Sequence, residues 1–324
     1  MSKPRILVVG SLVMDQIGIM PKLPAEGETI FGTSFQKAPG GKGANQAAQM
    51  ALLGAEVVMC GKVGLDSNGD EMLRALRERG VDVQHVLRDR TAASGCSMII
   101  LEEDEQGSRK NRIIVFPGSN FSLQKEELTF LENTIASYDL VVLQLEIPQE
   151  VNEYVAHLAH AQGVPVLLNP APSAPLSAAF LRDLTYIAPN EHEAAALSGL
   201  PVTTSEDSIR RCAEFFLAQG VPNVIITLGS AGAALAAKEG IQLTPCAAHV
   251  RSVDPTAAGD SFIGAFAVGV CCGWDIPQTL LFANHTAGLT VSSMGAMPSL
   301  PNLAQVEALL RRECVPVPDL SDLR

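Results

Sequence analysis

Short apolar segments rich in valine and isoleucine recur along this chain with helix-like segments between them, and no other feature constrains the fold as strongly. They lie at residues 5–9, 57–60, 140–145, 164–168, 186–188 and 224–228. Continuous apolar runs of this length are typical of buried parallel strands, and the intervening helices supply the connections. We predict an α/β fold in which a central, mostly parallel sheet is flanked by helices.

Glycines mark the ends of several helices. Helices are predicted over 66–79, 191–198 and 205–218, because the glycines that follow them can take the left-handed turn at a helix end. A further helix is predicted over 263–272. The nearly uncharged stretch that contains it is too short for the roughly 18 residues that cross a bilayer, so we expect no membrane span.

Two extended patches interrupt the alternation. Residues 17–37 contain two prolines and alternating side chains, and residues 96–101 and 111–116 are joined by the polar segment 102–110. We predict that these patches pair as a small β-sheet lid, inserted at about 17–37 and 96–116. Because no repeat, low-complexity tract or long linker occurs, residues 1–324 are predicted to form a single domain.

Charge and cysteine content exclude several classes of partner. The formal net charge of −12 disfavours nucleic acids and anionic membranes, because both are bound through basic faces. The seven cysteines include no Cys-x-x-Cys spacing, and the first ten residues show neither a long apolar segment nor a small-residue cleavage pattern. We therefore expect a cytoplasmic protein without a disulfide framework.

The most specific segment is Val-Asp-Pro-Thr-Ala-Ala-Gly-Asp-Ser-Phe at 253–262, directly before the predicted apolar helix. Ala257, Ala258 and Gly259 are small, so the unpaired amides at a helix start can reach a ligand, and the helix dipole favours negative charge there. These residues are candidates for an anion hole around a transferring phosphoryl group. Asp260 is the candidate base for an attacking alcohol, and the alternative is that it only caps the helix.

A second segment, Pro-Gly-Gly-Lys-Gly-Ala-Asn-Gln-Ala-Ala at 39–48, also opens a helix. Its glycines allow the backbone to approach a ligand closely, and Asn45 offers a donor and an acceptor to a diol. The spacing matches neither Gly-x-Gly-x-x-Gly nor the P-loop, and a plain strand-to-helix turn is the alternative.

Asp15 and Glu146 each follow a predicted strand, at the edge where α/β sheets bind ligands. They are either sugar ligands or solvated charges.

A third block combines Asn190 and Glu193, three positions apart, with the Thr-x-Gly-x-x-Gly turn at 227–232. The first pair suits magnesium-bound water and phosphate oxygens, and the turn offers amides and a hydroxyl to phosphate. The alternatives are a helix N-cap with an acidic residue in the first turn, and an ordinary β-turn.

Taken in order, these segments resemble the ribokinase-like, or phosphofructokinase-B, carbohydrate kinase family. The resemblance covers nearly the whole chain, at 10–15, 23–29, 40–46, 117–120, 144–146, 169–172, 189–193, 227–232, 254–260 and 295–299. It implies a central sheet with a β lid that closes on the sugar and commonly pairs in a homodimer. It also implies transfer of phosphate from ATP to the primary 5-hydroxyl of D-ribose.

The same resemblance implies roles for individual residues. Asp260 would be the general base beside the amides of Ala257, Ala258 and Gly259. The sugar would be held by Val13, Met14, Asp15, Gly41, Lys42, Gly43, Ala44, Asn45, Glu146 and Asp260. ATP would contact Asn190, Thr227, Leu228, Gly229, Ser230, Ala231, Gly232, Gly259, Asp260 and Asn284. Glu193 would help to organise Mg²⁺, and an activating K⁺ would be bound by Asp254, Thr256, Thr290, Ser293, Gly295 and Ser299.

Two positions depart from the family pattern. Val13 stands where some bacterial members carry asparagine, and it offers no hydrogen bond to a sugar hydroxyl. Pro255 replaces the usual threonine, which removes a backbone donor and stiffens the loop without touching the base. The alternative substrates are therefore 2-deoxyribose, another pentose or a nucleoside. An inactive sugar-binding regulator is the alternative from a different class.

Overall fold

A computed structural model describes residues 3–103, 109–248 and 250–324, and these contain thirteen strands and ten α-helices. The strands are β1 (Arg5–Val9), β2 (Val13–Met20), β3 (Ser34–Gly40), β4 (Glu56–Gly64), β5 (Val81–Asp89), β6 (Gly95–Glu103), β7 (Arg109–Phe116), β8 (Leu140–Gln144), β9 (Val166–Asn169), β10 (Tyr186–Ile187), β11 (Asn223–Thr227), β12 (Ala233–Ala237) and β13 (Gly240–Thr244). The helices are α1 (Lys42–Leu52), α2 (Ser67–Glu78), α3 (Leu131–Thr134), α4 (Gln149–Ala161), α5 (Ala178–Arg182), α6 (Glu191–Ser198), α7 (Glu206–Ala218), α8 (Ala258–Cys271), α9 (Ile276–Val291) and α10 (Leu303–Arg312).

The main sheet has nine strands in the order β13-β12-β11-β10-β9-β8-β1-β4-β5. Neighbours from β11 to β5 run parallel, and β12 and β13 form an antiparallel hairpin at one edge. The predicted α/β fold with a mostly parallel sheet is therefore confirmed. The sequence prediction missed β5, β12 and β13, which are edge or near-edge strands with alanine-rich or alternating polar sequences and no long apolar run.

Alternate residues of each central strand enter two separate cores. In β1, Ile6 and Val8 pack in the core on one side of the sheet, with α1 and α8. Leu7 and Val9 point to the opposite side, where α4 and α7 contribute the facing side chains. Burial of an aliphatic side chain of this size contributes about 1.5–3 kcal/mol, so helices on both faces hold the strand ends in fixed positions.

A second sheet of four strands, in the order β3-β2-β6-β7, forms the lid. It is larger than predicted, because β2 begins at Val13 and β3 runs on to Gly40. Only three residues separate β1 of the main sheet from β2 of the lid. Asp15 therefore lies on a lid strand. Of the predicted polar connection at 102–110, residues 104–108 lie outside the described residues.

The predicted helix ends are confirmed for α2, α6 and α7. Gly80, Gly199 and Gly220 follow these helices with φ of 86°, 71° and 98°. In contrast, α8 begins at Ala258, five residues before the predicted start. The prediction was wrong because the apolar signal begins only at Phe262, whereas the first turn consists of small and polar residues. Within the described ranges, no helix is long and apolar enough to cross a membrane.

Candidate active site

A cavity of about 220 Å³ opens at the carboxyl edge of the main sheet, where ligands bind in open α/β folds. It lies between the segments that follow β9, β10 and β11 and the first turns of α1, α6 and α8. Its lining residues are Lys42, Asn169, Ala171, Ala188, Asn190, Glu193, Thr227, Pro255, Ala257, Gly259, Asp260 and Ile263. Seven of the predicted site residues are thus brought together from four separate parts of the chain.

The Asp260 carboxylate is almost fully buried in the first turn of α8 and is held by α1. Asn45 Nδ2 donates to Asp260 Oδ2 at 2.9 Å, and Gln46 Nε2 donates to Asp260 Oδ1 at 3.0 Å. Both donors are neutral amides, and each carboxylate oxygen keeps a second lone pair. Asp260 is therefore oriented by another helix instead of capping its own, and it can still accept a proton from a ligand.

Backbone amides at the start of α8 face the cavity. Ala257 is the N-cap, with φ of 60°, and the first helical hydrogen bond runs from Ser261 N to Ala257 O at 2.8 Å. Ala258 N donates to Pro255 O at 3.2 Å, which removes this amide from the predicted anion hole. Among the described residues, the amides of Ala257, Gly259 and Asp260 have no acceptor, so they are available to an anion.

The glycine-rich turn before α1 packs directly against the connection between β1 and β2. Gly41 has φ of 92°, and a Cβ on Gly43 would lie 2.6 Å from Ser11 N, so side chains are excluded at both positions. Glu146 Oε2 accepts hydrogen bonds from Ser11 Oγ at 2.5 Å and Lys42 N at 3.0 Å. These bonds fix the Glu146 carboxylate beside the turn.

Asp15 brings a further carboxylate to the same place from the lid. Burial raises its pKa to about 6; the charges of Glu146 and Asp260 add to this effect, while a hydrogen bond from Ser97 Oγ opposes it. Lys42 is the nearby cation. Burial alone would lower the pKa of Lys42, but the carboxylates of Asp260, Glu146 and Glu193 together raise it. The site is thus a cluster of carboxylates around one ammonium group.

Some of the predicted sugar residues do not bring their side chains to this cluster. Met14 and Ala44 are fully buried in the hydrophobic core with α1, and the Val13 side chain is also buried. Their positions leave only backbone atoms for a ligand. The apolar character of Val13 is therefore a consequence of its place where the lid joins the core.

On the opposite side of the cavity, Asn190 and Glu193 form a capping box at the start of α6. Asn190 Oδ1 accepts from His192 N and Glu193 N, and Glu193 Oε2 accepts from Asn190 N at 2.9 Å. The N-cap interpretation is confirmed, and both residues also line the cavity. Burial raises the pKa of Glu193.

The turn after β11 offers amides near Thr227, which lines the cavity. Leu228 N donates to Gly232 O at 2.8 Å, and Ala231 N donates to Leu228 O. These two bonds close the turn, in which Leu228 and Gly232 are buried. The amides of Gly229 and Ser230 find no acceptor in the described parts of the chain. Asn284 Nδ2 donates to Thr244 O and Pro245 O, at 2.9 and 3.0 Å, outside the cavity lining.

The residues predicted for K⁺ are joined by Asp254. Its Oδ1 accepts from Thr256 N and Thr256 Oγ1, and its Oδ2 accepts from Gly295 N at 2.9 Å. Although burial opposes the effect, these hydrogen bonds lower the pKa of Asp254. The Thr290 hydroxyl is buried and donates to Ser261 Oγ, Ser299 Oγ donates to Ala296 O, and Ser293 is exposed. Asp254 therefore joins the segments that contain Thr256 and Gly295.

Comparison with known proteins shows the family to which the chain belongs. A sequence profile described as pfkB family carbohydrate kinase covers residues 3–303. The chain belongs to this family. Among pfkB relatives, it is 40% identical to the ribokinase of Bacillus subtilis over 94% of this chain and 99% of the relative, and 39% identical to the ribokinase of Schizosaccharomyces pombe over 93% and 96%. The structure of Arabidopsis thaliana ribokinase complexed with ribose and ATP superposes with a TM-score of 0.88 at 32% identity, covering 96% of this chain and 99% of the other.

Four residues that contact the candidate site were missed from sequence. Ser11 orders Glu146, Ser97 orders Asp15, and Gln46 and Asn169 lie next to Asp260. Ser11, Gln46 and Asn169 belong to segments that carried the family resemblance, which was the available signal. Ser97 had no such signal, because its role depends on the pairing of β2 with β6.

Proposed function

We propose that this chain transfers the γ-phosphate of ATP to the 5-hydroxyl of D-ribose, giving ribose 5-phosphate and ADP. The observation that carries the proposal is the placement of the buried Asp260 carboxylate next to open amides at the start of α8. In this proposal the sugar lies toward the carboxylates of Asp15 and Glu146, and the nucleotide lies toward the open amides of Gly229 and Ser230. The names of the relatives, ribokinases from bacteria, yeast and a plant, support ribose as the acceptor.

Asp260 acts as the general base in the proposed reaction. It takes the proton of the primary hydroxyl while the sugar oxygen forms a bond to the γ-phosphorus, and the bond from this phosphorus to the β–γ bridging oxygen breaks. ADP leaves with the electron pair. The negative charge that develops on the phosphoryl oxygens is stabilised by the open amides of Ala257, Gly259 and Asp260 and by Lys42.

The sugar is held by Asp15, Glu146 and Asn45. Carboxylates accept hydrogen bonds from a vicinal diol, and Asn45 Oδ1 is buried without a hydrogen-bond partner among the described residues. A sugar hydroxyl supplies the missing donor. Gly41, Lys42 and Gly43 bring backbone atoms of the same turn to the sugar.

The nucleotide lies across Thr227 and the open amides of Gly229 and Ser230, toward Asn284. Mg²⁺ would be organised by Glu193, whose carboxylate is the hard oxygen ligand that this cation prefers, and it would neutralise charge on the phosphates. K⁺ would be bound by backbone oxygens of the segments that Asp254 joins, at Thr256, Thr290, Ser293, Gly295 and Ser299. This donor set suits a weakly hydrated cation.

The lid provides a surface for a second copy of the chain. By register, Asp15, Ser97 and Val115 form one row across β2, β6 and β7, so odd-numbered residues of these strands share the face that carries Asp15. That face is strongly apolar: Ile17, Ile19, Ile99, Leu101, Ile113 and Val115. Half of the Val115 side chain is exposed, and we propose that the face pairs in a homodimer.

A cytoplasmic location agrees with the state of the cysteines. All seven are free thiols, of which six are partly or fully buried and Cys314 is exposed. A reducing compartment preserves free thiols.

The deoxyribokinase of Salmonella typhi is 33% identical over 94% of this chain and 98% of the relative. 2-Deoxyribose is therefore the second candidate substrate. The test is ADP release in magnesium and potassium buffer, with ribose, 2-deoxyribose and adenosine assayed in parallel. Preference for ribose supports the proposal. Preference for another acceptor would assign a different substrate to the same mechanism. If ADP release did not depend on any added acceptor, the sugar-binding regulator would be favoured.

A further inference from the structure

A buried chain of side-chain amides connects the end of β8 to Asp260. Gln144 Nε2 donates to Gln46 Oε1 at 2.7 Å, and Gln46 Nε2 donates both to Asp260 Oδ1 at 3.0 Å and to Asn169 Oδ1 at 3.1 Å. Asn169 Nδ2 in turn donates to Ala188 O at 2.9 Å. Gln144, Gln46 and Asn169 are named here the amide relay.

The direction of every hydrogen bond in the relay follows from one backbone carbonyl. Ala188 O can only accept, so Asn169 presents its nitrogen to Ala188 and its oxygen to Gln46. Gln46 must then present its nitrogen to Asn169, and the same nitrogen faces Asp260. Both Nε2 hydrogens and the Oε1 of Gln46 are therefore used, and the amide cannot turn over without losing these bonds.

Gln46 has no exposed surface and does not line the cavity, whereas Asp260 lines it. Its polar atoms are directed only at the relay and at the base. We propose that Gln46 is a positioning residue, which holds the Asp260 carboxylate at the angle that its free lone pair needs in order to receive the hydroxyl proton. This inference rests on the kinase activity proposed above.

The same helix supplies a matched control. Gln49 is also fully buried in α1, and it makes two hydrogen bonds where Gln46 makes three. Its Nε2 donates to Pro301 O at 2.9 Å, and its Oε1 accepts from Ser261 Oγ at 3.1 Å. Neither bond involves Asp260. Methionine has nearly the shape of glutamine and lacks its polar atoms, so Gln46→Met and Gln49→Met remove comparable buried contacts from one helix.

The experiment compares the steady-state kinetics of both variants with the natural enzyme, after thermal unfolding has established that each variant is folded. Loss of a hydrogen bond to a charged group predicts a fall in kcat of about 10- to 100-fold for Gln46→Met, with KM for sugar and ATP changed less than about threefold. Gln49→Met should keep kcat within about threefold. Gln46→Met with kcat near that of the natural enzyme, or a Gln49→Met variant equally impaired, would overturn the role of Gln46.

A double-variant cycle separates positioning of the base from general damage. In an Asp260→Asn background there is no base to orient, so adding Gln46→Met should change the slow residual phosphoryl transfer less than about twofold. A full 10- to 100-fold additional loss in that background would show that Gln46 acts elsewhere. If the natural enzyme transferred phosphate to none of the sugars, the proposed function itself would fail, which is a distinct outcome.

Discussion

Ser97 on lid strand β6 donates a hydrogen bond to the carboxylate of Asp15 on the adjacent strand β2. Asp15 is itself part of the lid, so a movement of the lid moves it, and the hydrogen bond fixes its carboxylate relative to β6. The pairing of β2 with β6 is parallel and continuous from Val13 to Met20, which makes this part of the lid one rigid unit. If Asp15 binds the sugar as proposed, lid position and sugar binding are coupled through it.

The raised pKa of Asp15, about 6, predicts pH-dependent sugar affinity. Above pH 6 the carboxylate is ionised and accepts hydrogen bonds from a diol, whereas below pH 6 it becomes protonated and loses acceptor capacity. We expect the dissociation constant for ribose to rise about tenfold per pH unit below 6. Calorimetric titrations from pH 5 to 8 measure it.

Two variants control this pH experiment. Asp15→Asn should bind weakly with little dependence on pH, because it has no carboxylate to protonate. Ser97→Ala should move the inflection to higher pH, since the Ser97 hydrogen bond lowers the pKa of Asp15. An affinity that stays constant from pH 5 to 8 in the natural protein contradicts the prediction.

Asp260→Asn should keep the fold and sugar binding while lowering turnover by about 10²- to 10⁴-fold, the usual contribution of a general base. Asparagine has the same shape but cannot take the proton. Turnover is measured by coupled ADP release, and binding by calorimetry on the same preparation. Near-normal turnover would remove Asp260 as the base.

The contacts of Asp254 predict activation by potassium. Its carboxylate ties Thr256, which lies two residues before α8, to Gly295, which follows α9. We expect faster turnover in potassium than in sodium buffer at equal ionic strength, and Asp254→Ala should lose most of this difference because the two segments separate. Equal rates of the natural protein in the two buffers would count against the site.

The apolar lid face predicts a dimer that a single charge can dissociate. Val115→Glu places a carboxylate on the face shared with Asp15, where burial against a second copy would leave it unpaired. We expect sedimentation equilibrium to show a dimer for the natural protein and a monomer for this variant. Ile114→Glu, on the opposite face of β7, is the matched control and should remain dimeric; a monomeric natural protein refutes the proposed pairing.

Local pattern was enough to predict the α/β class, the helix ends at Gly80, Gly199 and Gly220, and the segments that carry the site. These features depend on residues close in sequence, namely apolar runs that make buried strands and glycines that end helices. The capping box of Asn190 and Glu193 was likewise predictable from the sequence, since both residues lie within one helical turn. The start of α8 was missed because alanine and glycine give no local signal of a helix boundary.

Only the tertiary structure decided how these segments meet. Asn45 and Gln46 reach Asp260 across 215 and 214 positions of sequence, and Ser97 reaches Asp15 only because β2 pairs with β6. Such contacts leave no periodic signal, because the direction and partner of a buried hydrogen bond are set by packing between distant elements. The sequence therefore determined which residues are chemically able to form the site, and the packing of α1 against α8 decided which of them hold the Asp260 carboxylate.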